Sequence, residues 1–309
     1  MIVRMICLLA FPLILNSCHG QQTTKTENTD ATPRTFEMVS VPSMITDPGE
    51  RAKYLVEHYW DKFDFTDTTY VHLPEITEQA VSNYIDLMKY VAPEVASSSI
   101  KNMMHKADTD SVVFAHMASL YEKYLYDPNS PMRDESLYIN VLESILSTSV
   151  FDDVNKIRPA HLLELALKNR VGESATDFTY TLADGKTGTL YNVKAPYLLL
   201  FFYNPDCHAC KEITGQIQAS PLIEKLQKDK TLKILAVYPD EDLEAWKKHI
   251  PDVPVSWINS YDESVSLKND EIYDLKAIPT LYLLDKDKKV ILKDVTFNQL
   301  EEFLQIQTN

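Results

Sequence analysis

The stretch NPDCHACKEI, residues 204–213, decides how this chain is read. It follows the apolar run YLLLFFY (197–203) and sets two cysteines three positions apart at the start of a helical pattern. Cys207 and Cys210 can therefore bond to one another across a first helical turn with little rearrangement. The first of them lies near unsatisfied backbone N–H groups and the positive end of a helix dipole, and both favour thiolate over thiol. A pair placed like this can be a working redox couple, a structural staple or half of a metal site. The run before it is continuous rather than alternating, which suits a strand buried on both faces.

Working outward, residues 171–309 alternate between strand and helix patterns. VGESATDFTYTLADGKTGTLYNV (171–193) carries Asp184-Gly185 between short alternating stretches and predicts a hairpin. A helix is expected from about 208 to 228, a buried strand over LKILAVYP (232–239) and a helix over EDLEAWKKHI (241–250). SLKNDEIYDLKA (266–277) reads as another short helix, TLYLLD (280–285) and KVILKD (289–294) as a second hairpin, and FNQLEEFLQIQ (297–307) as a closing helix. A parallel crossover joined to an antiparallel hairpin gives a mixed sheet with flanking helices.

Residues 36–170 have helical spacing instead. The candidates are PGERAKYLVEHYWDKF (48–63), ITEQAVSNYIDLMKYV (76–91), PEVASSSIKNMMHKA (93–107), DSVVFAHMASLYEKYLY (110–126), DESLYINVLESILST (134–148) and RPAHLLELALKNR (158–170). Breaks are expected at Pro93, Asp108 to Asp110, DPNSP (127–131) and near Pro159, giving five or six helices. Tyr121, Tyr124, Tyr126 and Tyr138 read as core-edge packing. Met103, Met104, His105 and His116 lack the paired spacing of a metal set. The fold class expected is α+β in two domains: an all-α domain, then a mixed β-sheet with helices.

Composition narrows the function. The chain has 309 residues, 45% apolar, with 45 Asp plus Glu against 30 Lys plus Arg. No basic block appears, so nucleic acid is not an expected partner. The first eighteen residues, MIVRMICLLAFPLILNSC, have signal-peptide proportions, and LNSC (15–18) resembles a lipobox ending in a lipidated Cys18. An ordinary secretory signal is the alternative. Residues 1–17 are then the signal peptide and residues 18–35 a polar tether. The HGQQ after Cys18 lacks the acidic residues that in lipoproteins of Bacteroides-like bacteria resemble a surface-export signal, and this comparison implies a lipid anchor facing the periplasm of the cell envelope.

Four cysteines are present. With Cys7 in the signal and Cys18 lipidated, only Cys207 and Cys210 belong to the folded part, so no other disulfide framework is expected. A zinc site needs about four ligands, and no metal is expected. A peroxidatic P-x-x-x-T-x-x-C stretch is absent, because Asn204 stands at the Thr position. A static disulfide in a binding module remains the alternative to redox chemistry.

The order of elements, CHAC after the first central strand and Ile278-Pro279-Thr280 at the start of a later one resemble the thioredoxin fold. GESATDFTYTLADGKTGTL (172–190) resembles the entry of TlpA/ResA-like and AhpC/TSA-like domains, with Thr176 where that pattern usually has Pro. The N-terminal half, on TDPGERAKYLVEHYWDKFDF (46–65) and EKYLYDPNSPMRDE (122–135), resembles the helical domain of unknown function that precedes thioredoxin-like domains in Bacteroides-type lipoproteins. The resemblance implies domains at 36–170 and 171–309.

It also implies a thiol–disulfide oxidoreductase. Cys207 would attack a partner disulfide and Cys210 would resolve the mixed disulfide. Pro279 would be cis and would present the backbone of Ile278 to an extended substrate segment. His208 would either tune Cys207 or stand in solvent. No cofactor beyond the redox-active disulfide is implied. The partners would be exported proteins with thiols or disulfides, an electron donor or acceptor outside the cytosol, and the membrane through the lipid. The motif does not fix the direction of transfer. Three positions depart from the relatives: Phe201 replaces a buried Asp six residues before the first Cys, Ile213 replaces a Glu three after the second, and Asp206 replaces an aromatic just before the pair.

Overall fold

The computed structural model describes residues 34–308. The signal-like stretch, Cys7, Cys18 and most of the tether lie outside the described residues. Six α-helices are described before the first strand: α1 (Pro48–His58), α2 (Thr77–Met88), α3 (Pro93–Ala107), α4 (Ser111–Tyr121), α5 (Glu135–Ser147) and α6 (Asp153–Ala166). Four start on an aspartate. Asp47, Asp110, Asp134 and Asp152 each accept a backbone N–H of the first turn, which satisfies donors the helix leaves free. A single π turn, Glu122–Tyr126, follows α4.

Pro159 departs from expectation. It lies inside α6, which starts five residues before the expected Arg158. The Asp152 carboxylate caps Asn155 at 2.9 Å, so the helix is already running when the proline arrives. The proline then removes one backbone bond without stopping the helix. The tyrosine stripes are deeper than edge packing: Tyr59, Tyr84, Tyr121 and Tyr138 are core residues, with Met103 and Met104 beside them. Tyr124 and Tyr126 are half-buried against that core.

The second half runs β1 (Thr179–Leu182), β2 (Thr187–Thr189), β3 (Tyr197–Phe202), α7 (His208–Ala219), α8 (Pro221–Lys228), β4 (Leu232–Tyr238), α9 (Leu243–Lys248), β5 (Ile258–Tyr261), α10 (Ser266–Asn269), β6 (Thr280–Asp285), β7 (Val290–Lys293) and α11 (Phe297–Thr308). The strands form one sheet in the order β2-β1-β5-β4-β3-β6-β7. β3 is parallel to β4 and antiparallel to β6. Its alternate side chains divide between two cores. Leu199 and Phe201 pack with Ile217, Ile223 and Leu300, while Leu198, Leu200 and Phe202 face Phe178, Leu267 and Tyr273. That is the strand buried on both faces which YLLLFFY predicts.

Three local expectations are corrected. The helix over 208–228 is two helices, because Ser220 turns the chain to ψ 114° and its hydroxyl caps Ile223, with Pro221 opening α8. The strand β5 is absent from the sequence reading, since INSY is short and has no apolar alternation. It pairs with β4 and β1 and so joins the first hairpin to the sheet. Of 266–277, only Ser266–Asn269 is helical; Glu271 then takes φ 48°, and the rest is an irregular segment leading to the Ile278–Pro279 bond.

Phe36–Asn309 form one compact unit, so the expected boundary between 170 and 171 lies inside it. Buried charges join the two halves. Lys276 Nζ lies 2.7 Å from Asp274, 3.4 Å from Glu135 of α5 and 3.7 Å from Asp294. Lys293 reaches Glu135 at 2.5 Å and donates to the Ala166 and Lys168 carbonyls at the end of α6. Burial alone would lower the Lys276 pKa, but Asp274 and Glu135 outweigh it and hold it above its ordinary value. Among the described residues no helix is long and apolar enough to cross a membrane.

Candidate active site

The parallel strand β3 delivers the chain to its C-terminal edge, and the loop 203–207 is fastened there. Asn204 does most of the fastening. Its carbonyl accepts from Cys207 N at 3.1 Å, its Oδ1 from Asp206 N at 3.0 Å, and its Nδ2 donates to Asp240 at 3.1 Å. Cys207 is thereby placed as the N-cap of α7, and its Sγ accepts the Cys210 backbone N–H at 3.3 Å. A sulfur does here what a serine or aspartate oxygen does at other helix starts.

Both cysteines are free thiols, Cys207 half-buried and Cys210 buried with 2% exposure. The Cys210 Sγ accepts from Asn204 N at 3.4 Å. Burial pushes the Cys210 thiol far above its ordinary value, which the Asn204 backbone bond only partly offsets. The two sulfurs therefore differ in access: one meets solvent and the other stays protonated inside.

The Ile278–Pro279 bond is cis and brings the Ile278 carbonyl 3.5 Å from Cys207 Sγ. Cys207, Cys210, Ile278 and Pro279, which lie far apart in sequence, thus converge at one edge of the sheet. His208 stands apart. Its side chain is 87% exposed and its Nδ1 lies 3.5 Å from Glu212. Glu212 is itself exposed on α7.

Phe201 is buried against Trp257 and stacks on Tyr203. The layer beneath Cys210 is completed by Tyr203, whose hydroxyl donates to Asn259 at 2.7 Å and accepts from Trp246 Nε1 at 3.1 Å. Beside it, a cavity of about 250 Å³ opens between Cys210, Asn204, His249 and Asp252. His249 carries no signal in the sequence, because it follows α9 and belongs to no spaced motif. Only the fold brings it to the cysteine loop, where Nε2 lies 3.3 Å from Asp206 and Nδ1 2.7 Å from Asp252.

Residues 16–169 match a family described as a domain of unknown function (DUF5106), and residues 196–290 match one described as thioredoxin-like. The crystal structure of a thioredoxin-like protein from Bacteroides caccae is similar over both halves. It is 48% identical, with a TM-score of 0.87, covering 89% of this chain and 99% of that one. The thiol-disulfide oxidoreductase ResA of Bacillus cereus is 29% identical over 142 residues, 45% of this chain and 79% of the relative. The protein of the same name from Bacillus anthracis is 28% identical over the same shares.

Proposed function

Since the chain belongs to the thioredoxin-like family, with a domain of unknown function ahead of the thioredoxin-like fold, we propose that it is a thiol–disulfide oxidoreductase working through Cys207 and Cys210. One observation carries this reading: a half-exposed Cys207 caps α7, with its sulfur on the Cys210 N–H and against the Ile278 carbonyl.

In the reduced form, Cys207 as thiolate attacks one sulfur of a partner disulfide. That S–S bond breaks, one partner sulfur leaves as thiolate and a mixed disulfide forms. Cys210, once deprotonated, attacks Cys207 Sγ and expels the second partner sulfur. Two electrons pass to the partner and the chain is left with a Cys207–Cys210 disulfide. Run backwards, the same steps oxidise a partner dithiol. An extended partner segment pairs with the Ile278 backbone next to Pro279 by strand addition. His208, directed to solvent, is left to meet the partner. No cofactor other than the cysteine pair is invoked.

The setting is part of the same proposal. Cys18 carries lipid, and the polar tether holds the folded unit in the cell envelope facing the periplasm. The partners are exported proteins with thiols or disulfides and a membrane or periplasmic electron carrier. The helical half selects among them. What supports the setting is the LNSC stretch after a signal-like apolar run.

The test is a glutathione titration of the purified chain together with reduction of a protein disulfide. A midpoint near about −270 mV supports a reductase and one near about −120 mV a disulfide donor. Cys207→Ser should abolish turnover, and Cys210→Ser should accumulate the mixed disulfide. Undiminished turnover in Cys207→Ser would overturn the reading.

A further inference from the structure

On the reading that Cys210 resolves a mixed disulfide, it must first lose a proton, and its sulfur is buried. The positions where relatives keep an acid hold Phe201 and Ile213. The titratable and charged groups around Cys210 can be taken in turn. From α7 come Cys207, the reaction partner, and Lys211, which is exposed and whose ammonium has no lone pair to accept with. From the end of β3 comes Tyr203, whose hydroxyl burial holds protonated and which already donates to Asn259. From the loop before α7 comes Asp206, and from the segment after α9 come His249 and Asp252.

His249 differs from all of these. It shares the cavity of about 250 Å³ with Cys210, and its side chain is only 18% exposed. Nδ1 is hydrogen-bonded to Asp252 at 2.7 Å, which fixes the ring plane, while Asp206 lies 3.3 Å from Nε2. With Nδ1 donating to Asp252, Nε2 keeps its lone pair and can accept. A water takes about 30 Å³ of liquid volume, and this cavity is polar on the Asn204, His249 and Asp252 side, so it can hold a bridging water. Histidine is also the side chain best matched to accept and return a proton near neutral pH.

We propose that His249 is the proton acceptor for Cys210, acting through water in this cavity, with Asp252 positioning its ring. The Cys210 proton passes to Nε2 of the imidazole, and the freed electron pair forms the bond to Cys207 Sγ. The partner thiolate leaves with the old bonding pair, and the imidazolium returns its proton to solvent or to that thiolate. In the reverse direction His249 protonates Cys210 as the internal disulfide opens.

The probe is dithiobis(nitrobenzoate), an aromatic disulfide that releases a coloured thiolate. It is mixed in stopped flow with the reduced full chain carrying Cys7→Ser and Cys18→Ser. The first coloured thiolate reports attack by Cys207 and the second reports resolution by Cys210. In His249→Gln the ratio of second to first rate should fall at least about tenfold at neutral pH, and the second rate should recover as pH rises. An unchanged ratio and pH profile would overturn the proposal. If His249→Gln does not fold, Asp252→Asn keeps the imidazole and frees Nδ1. A displaced pH profile of the second rate then supports the inference, and an unmoved one overturns it. Release of only one thiolate per Cys7→Ser, Cys18→Ser chain with His249 intact would instead remove the redox couple itself, and with it the reading on which His249 depends.

Discussion

Cys210 gains its chemical character from burial, and burial has a thermodynamic signature that can be measured. Its thiol ionises above the ordinary 9.0 in the folded chain. Below about pH 9 the folded and unfolded chains both hold this proton. Above that, the unfolded chain loses it first, so the unfolded state gains and stability falls with rising pH, by at most about 1.4 kcal/mol per pH unit. The reduced protein should therefore lose its stability advantage over Cys210→Ala as pH climbs past about 9. Urea unfolding of both across that range checks it, and the buried tyrosines, common to both, cancel. A constant difference would mean that Cys210 reaches solvent in the folded state. The pair Cys207 and Cys210 was legible in the sequence as a local i and i+3 spacing, whereas Ile278-Pro279 stood out only through the resemblance to the thioredoxin fold. His249 was not legible, because its role depends on a loop from another part of the chain.

At the scale of elements, departures from expectation have different causes. A break was expected near Pro159 with a helix opening there, yet α6 starts at Asp153 and runs through the proline because Asp152 has already capped it. The helix then lacks one interior backbone bond. Pro159→Ala should restore it and stabilise the chain by about 2 kcal/mol, the interior penalty of about 3 less the roughly 0.4–1 of chain entropy that proline removes from the unfolded state. Thermal unfolding reads this as a rise in Tm; a fall would mean that the ring's packing matters more than the missing bond. β5 illustrates the opposite case. Its residues have weak strand character, and Ser260 is buried with its hydroxyl on the Ala236 carbonyl at 3.0 Å. Neighbours on both sides make it a strand.

At the scale of the molecule, the helical half reaches the segment that leads to Pro279 through buried charge. Lys276 is 9% exposed and surrounded by three carboxylates, one of them from α5, and it lies over the Tyr126 ring at 4.8 Å. Removing a cation from such a set leaves buried anions uncompensated. Lys276→Met should cost about 3 kcal/mol of stability. Because Phe36–Asn309 form one compact unit, the loss should appear in a single transition that reports both halves at once. A loss below about 1 kcal/mol would place these charges with ordinary surface pairs.

The sequence by itself determined the helical half, the mixed-sheet half and the Cys207–Cys210 pair, and the family resemblance it carries pointed to Ile278 and Pro279. Periodicity, capping residues and short spacings are properties of neighbouring residues, and they survive without knowledge of the fold. The tertiary structure alone decided that INSY is a strand and that Lys276 ties the two halves together. It also set His249 beside Asp206 and the buried thiol. Each of these depends on groups distant in sequence meeting in space, and no local pattern encodes such a meeting.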